Sequence, residues 1–493
     1  MRSSTEGVPG SLVGERGSDV NERPGPRQNP EIKAPWSRSD RPVPRRLLRP
    51  LQEFLETSTA SGVVLLGAVV VALGWVNSPW DGSYSSLLDT PISVGVGDLT
   101  VAGDLHFWIN EGLMALFFLV VGLEIKRELT TGELRSPRAA LLPVIAAATG
   151  MAVPALLFVA VVGGGTAARG WGIPMATDVA FALGVLALAA ARTPGSLRPL
   201  ILAIAIVDDI GSVIVVAAFY PGAIGVGWLA ACIGVAVLVF VFPKIHIRAM
   251  PVYVTLGIVL WYTMYRSGLH PALAGVVVGL LTPSEPFQRP HAVSQEAHLT
   301  AERTEDDPRP PDADASEWLR LAELSREAVS PLTRVEHVLL PWTSFVVLPL
   351  FALANVGVPL SASSIAAAAG SAVAWAVLIA RVGGKIAGIW GGAALASRLG
   401  LVDLPSGVRS VHLAGMAAAA GTGFTVSLFV AEVAFGRESP LLAHVKISLL
   451  AASVVSAIVA LLLLLPARMG QWAAAPSAAP PDDVASGHAT EPT

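Results

Sequence analysis

Twelve stretches of this chain are apolar over lengths that match the interior of a lipid bilayer, and few water-soluble folds can bury that much continuous apolar sequence. Crossing roughly 30 Å of hydrocarbon takes about 20 helical residues. The runs fall near 59–77, 107–125, 139–162, 171–191, 199–220, 223–242, 249–266, 268–282, 335–358, 371–396, 410–435 and 440–466. A backbone in lipid must satisfy its own hydrogen bonds, which runs of this length do as helices. Composition agrees, with 53% hydrophobic and only 14% charged residues among 493. The expected fold class is an all-α integral membrane protein of about twelve transmembrane helices.

Twelve spans put both ends of the chain on one side of the membrane, and the basic residues say which. With both termini cytoplasmic, Arg41, Arg45, Arg46 and Arg49, then Lys126, Arg127, Arg135 and Arg138, then Arg192, Arg198, Lys244 and Arg248 all fall inside. The first opposite loop carries Asp81, Asp89, Asp98 and Asp104 instead. Residues 1–54 and 467–493 read as disordered cytoplasmic tails, and the opening 50 residues contain no apolar core with a cleavage signature. Residues 283–333, acidic and Pro-rich, read as a polar cytoplasmic linker between a first section (55–282, helices 1–8) and a second (334–466, helices 9–12), with a short amphipathic helix near 318–329. A net charge of −4 leaves no footprint for nucleic acid, and the single Cys232 excludes an internal disulfide or a thiolate cluster.

Two spans are interrupted in corresponding places. The fourth opens Trp171-Gly-Ile-Pro174 and continues Ala176-Thr177-Asp178, while the eleventh carries Gly421-Thr-Gly-Phe-Thr425 in its middle. Pro removes a backbone donor and Gly loosens the helix, so both predict partial unwinding; in a secondary transporter such breaks mark the binding site. Glycines can equally serve close helix packing. Spans three to five and ten to twelve then correspond at an offset of seven, which makes equivalent helices antiparallel, an inverted repeat.

Asp208 and Asp209 lie within AIAIVDDIGSVIVV at 203–216, near the middle of the fifth span. Ionisable groups at this depth are functional by default. Two like charges in a low dielectric need a proton or a cation to share them, and carboxylates with carbonyls are suitable ligands for a small hard cation. Competition between the two at one site is an exchange mechanism if the site opens alternately to each side. Asp178, Lys385, Arg381 and Lys446 are also stranded in apolar sequence; Lys385 is the natural counter-charge for an aspartate, Arg381 is ambiguous, and Lys446 lies near a boundary where it can snorkel.

At GLEIKREL (122–129), ATDVAFALG (176–184), AIVDDIG (205–211), LHPALAGV (269–276), RVEHVLLPW (334–342), GGKIAGI (383–389) and GTGFTVSLF (421–429) the chain resembles the NhaA-type sodium/proton antiporters of bacterial inner membranes, over about 55–466. Inverted repeats are a feature of that family, so the resemblance implies the same relation between the two sets of spans. The resemblance implies that the fourth and eleventh helices cross near the membrane centre, with Asp178 offsetting positive helix ends and Lys385 negative ones. It implies that Asp209 binds the sodium ion, that Asp208 exchanges protons and pairs with Lys385, and that Thr177 helps form the site. Glu124, Arg127, Glu128, Glu336 and His337 match positions linked to pH activation, with His270 a further candidate. Where the family can show a second histidine, this chain has Leu340. Electrogenic exchange, with lithium as a second substrate, is implied too, and a homodimer is compatible with it.

Other classes fit less well. An intramembrane aspartyl protease needs aspartates on two helices facing one peptide bond, and the central pair here is adjacent on one. A channel wants a continuous polar pore, and an organic-anion symporter is poorly served by neighbouring acids. No P-loop suggests a nucleotide, and neither an enzyme activity nor a cofactor is expected.

Overall fold

The computed structural model describes residues 60–97, 99–189, 193–247, 249–306, 311–405 and 407–465. The tails expected at 1–54 and 467–493, with their arginines, lie outside the described residues. Helix α1 (Ala60–Val76) turns sharply into α2 (Asp81–Leu88), and an antiparallel hairpin follows, β1 (Pro91–Val96) on β2 (Leu99–Asp104), with Ser93 opposite Ala102. Then come α3 (Leu105–Thr130), α4 (Pro137–Val162), a 3₁₀ turn at Thr166–Gly172, α5 (Val179–Leu188), α6 (Leu197–Phe219), α7 (Val226–Val241), α8 (Met250–Ser267) and α9 (Leu273–Leu281). The polar segment holds α10 (Pro290–Asp306) and α11 (Pro311–Glu327). After it run α12 (Pro331–Val356), α13 (Ala362–Ala369), α14 (Ala372–Arg398), α15 (Ser410–Ala420), α16 (Thr425–Phe435) and α17 (Pro440–Leu464).

Each apolar run of the sequence coincides with one of these helices or with a broken pair. Among the described residues six helices are continuous, long and apolar enough to cross a membrane: α3, α4, α6, α12, α14 and α17. The count reaches eight when the bent pairs α1 with α2 (115°) and α15 with α16 (50°) are each taken as one span. Helices α5 and α7 are apolar but shorter, and α9 has nine residues. The protein is a multi-pass helical membrane protein.

Small residues set how closely the helices approach. Helix α9 lies on α3 through Gly275 and Gly279, and a methyl group on Gly279 would come within 2.7 Å of the Leu119 carbonyl oxygen and the Leu123 amide. Close backbone contact of this kind replaces the hydrophobic driving force that lipid cannot supply. The linker departs from expectation in part. The helix expected near 318–329 is present within the longer α11, and a second helix, α10, packs on it. Both start on a proline in the first turn, where the missing N–H would have no partner anyway. A Pro-rich composition therefore punctuates helices here and does not exclude them.

Two buried apolar clusters flank the middle of the bundle. One contains Leu197, Ile201 and Ile204 of α6 with Leu413 and Met416 of α15; the other contains Val216 of α6 with Val426, Leu428 and Phe429 of α16. Asp208 and the break between α15 and α16 fall at the boundary between them.

Candidate functional site

Asp208 sits eleven residues after Leu197 and eleven before Phe219, at the centre of α6. Its Oδ2 accepts from Lys385 Nζ at 2.6 Å and from Thr177 Oγ1 at 2.5 Å. Both Asp208 and Lys385 are almost completely enclosed, at 1% exposure. Asp208 Oδ1 is buried and has no hydrogen-bond partner among the described residues, and the same is true of Ser212 Oγ one turn on. Asp209 is partly accessible and makes no hydrogen bond or salt bridge among the described residues. The adjacent acids thus differ: one is clamped, the other is open.

Thr177 and Asp178 come from the break that precedes α5. Asp178 has extended backbone (φ −100°, ψ 106°) and caps the helix, its Oδ1 accepting from Phe181 N at 3.4 Å. Its Oδ2 accepts from Thr425 Oγ1 at 2.9 Å and from Thr425 N at 3.5 Å, at the start of α16. One carboxylate therefore serves the N-terminal ends of two half-helices, where backbone N–H groups carry the positive end of the dipole. The sequence places both breaks, and the structure joins them.

Arg381, ambiguous in sequence, has a definite role in the architecture. It lies in a π-turn of α14 (Ala380–Gly384), a deviation that re-aims side chains, and is wholly buried. Its Nε donates to the Gly421 carbonyl at 3.0 Å, its Nη2 to the Ala176 carbonyl at 3.0 Å, and its Nη1 to Ser427 Oγ. Carbonyls released by both breaks are thus held by one guanidinium. Lys385, expected from the resemblance to face negative helix ends as well as Asp208, contacts the aspartate. Thr425, Ser427 and Ser212 complete the surroundings; Thr425 marks the break in the sequence, but hydroxyls in a helix carry no signal of a site role until a partner is known. Gly423 has to be small, because a Cβ there would land on the Arg381 guanidinium and 3.0 Å from the Asp178 amide.

The residues proposed for pH response fall in two places. Arg127 near the end of α3 pairs with Glu336 of α12 and lies 3.8 Å from Glu124. Glu128 is on the same turn, while His337 is exposed and outside this ion pair. His270 is near the other end of α3: its Nδ1 is 3.5 Å from Glu111 Oε1 and its Nε2 is 3.1 Å from the Tyr220 carbonyl. A cluster in which His106, Asn110, Asn355 and Glu432 join carries no signal in the sequence. Its members lie up to 326 residues apart, so no local pattern exposes it.

A helical membrane bundle whose two interrupted spans meet over a lysine-bound aspartate and a free one has the architecture of an ion-coupled secondary transporter. The chain belongs to the Na+/H+ antiporter 1 family, whose model matches residues 52–464. It is 42% identical over 458 residues to the Na(+)/H(+) antiporter NhaA of Anaeromyxobacter sp. (strain Fw109-5), covering 92% of this chain and 97% of the relative. It is 43% identical over 445 residues to the Na(+)/H(+) antiporter NhaA 2 of Sorangium cellulosum (strain So ce56), covering 88% and 94%. Among solved structures, the sodium proton antiporter of Methanocaldococcus jannaschii aligns with a TM-score of 0.41 at 12% identity, over 84% of this chain and 99% of that one.

Proposed function

We propose that the protein is an electrogenic sodium/proton antiporter of a bacterial inner membrane, with lithium as a second substrate, that expels sodium in exchange for external protons. It crosses the membrane twelve times with both termini cytoplasmic, and the breaks before α5 and between α15 and α16 cross at the centre of an inverted repeat. Family membership supports the substrates. The observation that carries the mechanism is the inequality of the two acids.

Sodium arrives at Asp209, whose carboxylate has no hydrogen-bond or ion-pair partner among the described residues, and draws further oxygens from Asp208 Oδ1 and Thr177. Hard cations favour oxygen ligands. Binding there competes with the bond between Asp208 and Lys385, so loading the ion loosens a proton from this group. Access to the other side reverses the sequence. More protons than sodium ions cross per cycle, so the membrane potential drives extrusion. Asp178 and Arg381 hold the frame, and the Glu124, Arg127, Glu128, Glu336 and His337 region, with His270 at the other end, adjusts activity to pH.

Purified protein in proteoliposomes, with a proton gradient imposed, is expected to exchange sodium for protons and to ignore organic anions. Asp209→Asn abolishes this with normal membrane insertion, and Asp208→Asn leaves less than about a tenth of the rate, since removing a group used only in the transport step costs at least tenfold, about 1.4 kcal/mol. Wild-type rates from Asp209→Asn sink the site assignment. Sodium added to the detergent-solubilised protein in weak buffer releases protons, and binding without that release refutes competition.

A further inference from the structure

The outer end of the bundle holds a second buried titratable pair that transport at the central acids does not account for. Glu432 lies near the end of α16, His106 at the start of α3, Asn110 one turn further, and Asn355 near the end of α12. His106 Nε2 is 3.2 Å from Glu432 Oε1 and 3.1 Å from Asn355 Oδ1. Both are acceptors, so this nitrogen carries the hydrogen. Asn110 Nδ2 donates to Glu432 Oε2 at 2.5 Å and to Asn355 Oδ1 at 3.2 Å, and Asn355 Nδ2 donates to Asn110 Oδ1 at 2.7 Å and to the Phe351 carbonyl at 3.0 Å. The amides saturate each other and leave the histidine and the glutamate fixed in direct contact. Their side chains keep 8% and 15% exposure, a thin opening and no more.

Two features distinguish this from a structural latch. A latch between three helices needs hydrogen bonds, which the asparagines already supply, and gains nothing from two groups that titrate. Second, α16 begins at Thr425, bonded to Asp178, and Glu432 follows seven residues later, roughly 10 Å along the same rigid helix. Around the pair, Arg437 and Lys446 present positive charge, Asp104 and Glu111 negative charge, and Tyr84 its phenol. Arg437 itself bridges Asp89 and Asp104 at 2.7 and 2.6 Å. Two nearby cations make the site a poor resting place for a metal ion and leave proton exchange available.

Resting on the antiport reading, we propose that His106 and Glu432 form the outer proton-uptake site, taking protons from outside on their way to the central carboxylates, with Asn110 and Asn355 as positioning residues. One extra proton resides on the pair. It moves when the Nε2–H bond of His106 breaks and an O–H bond forms at Glu432 Oε1, which leaves the summed charge of the pair unchanged. The test measures sodium efflux from proteoliposomes of uniform orientation, with inner pH and inner sodium clamped and outer pH varied. Glu432→Gln and His106→Asn are expected to shift the outer pH of half-maximal rate by about one unit, a tenfold change in apparent proton affinity, with the inner sodium KM within twofold of wild type; Glu432→Asp recovers part of the shift. Outer-pH profiles that superimpose on wild type overturn the proposal. So does a uniform loss of rate with a lower melting temperature and no shift, the mark of a latch. Wild-type protein that fails to exchange sodium for protons removes the parent reading first, a result distinct from either.

Discussion

Arg381 and Lys385 stand four residues apart on one helix, and the sequence offers a partner for Lys385 but none for Arg381. In the structure they go to different partners: three donors of Arg381 reach two backbone carbonyls and a hydroxyl, while Lys385 Nζ meets a carboxylate. Only a planar fork of donors can span the first set. Arg381→Ala leaves the Gly421 and Ala176 carbonyls buried without partners, at about 1–3 kcal/mol each. The expected outcome is a lower melting temperature of the purified protein in detergent and at least a tenfold loss of exchange, with Arg381→Lys recovering little of either. Lys385→Ala is expected to lower stability and to alter the pH profile of exchange, and an unchanged profile counts against its pairing with Asp208. The asymmetry of Asp208 and Asp209 was implied by the family resemblance and by nothing in the local residues, and the structure supplies the contact behind it. Two adjacent acids in an apolar run announce a site, but which of them is clamped depends on chain 177 residues away.

At the scale of elements, apolar run length located the helices well, because burial in lipid is a property of composition that survives in the sequence. Pro174 and the glycines at 421 and 423 located the breaks for the same kind of local reason. The polar segment was legible only in part: the helix expected near 318–329 lies within the longer α11, while α10, which packs on it, was not anticipated, since contact between two helices is not reported by the periodicity of either. Glycine is the element-scale device most open to test. Gly279→Val forces side-chain volume between α9 and α3, and overpacking of this kind costs about 1–3 kcal/mol; a fall in melting temperature with the sodium KM unchanged is the expected signature. Gly423→Ala instead pushes on Arg381 and Asp178, so exchange is expected to fall more steeply than stability. Equal losses of both argue that Gly423 is mere helix packing.

Across the whole molecule, the helical pair α10 and α11 forms a segment between α9 and α12 whose ends meet: Gln288 N donates to the Glu327 carbonyl at 3.1 Å, and its side chain to Glu327 Oε2 at 3.1 Å. Replacing 289–326 with a few Gly and Ser residues is therefore expected to leave sodium exchange within about twofold, since lengthening or shortening a surface connection costs little; a tenfold loss assigns the pair a part in transport. The general plan of the bundle was readable because membranes impose a length and an apolar face on every span. The contacts that make it a machine were not, since each joins residues far apart in the chain. One of them limits how the machine can run. A single guanidinium grips a carbonyl from each of the two breaks, so moving one without the other strips hydrogen bonds from it; under the proposed exchange cycle the two breaks travel as one cassette, and the bending that exposes the carboxylates to each face falls at the far ends of those spans.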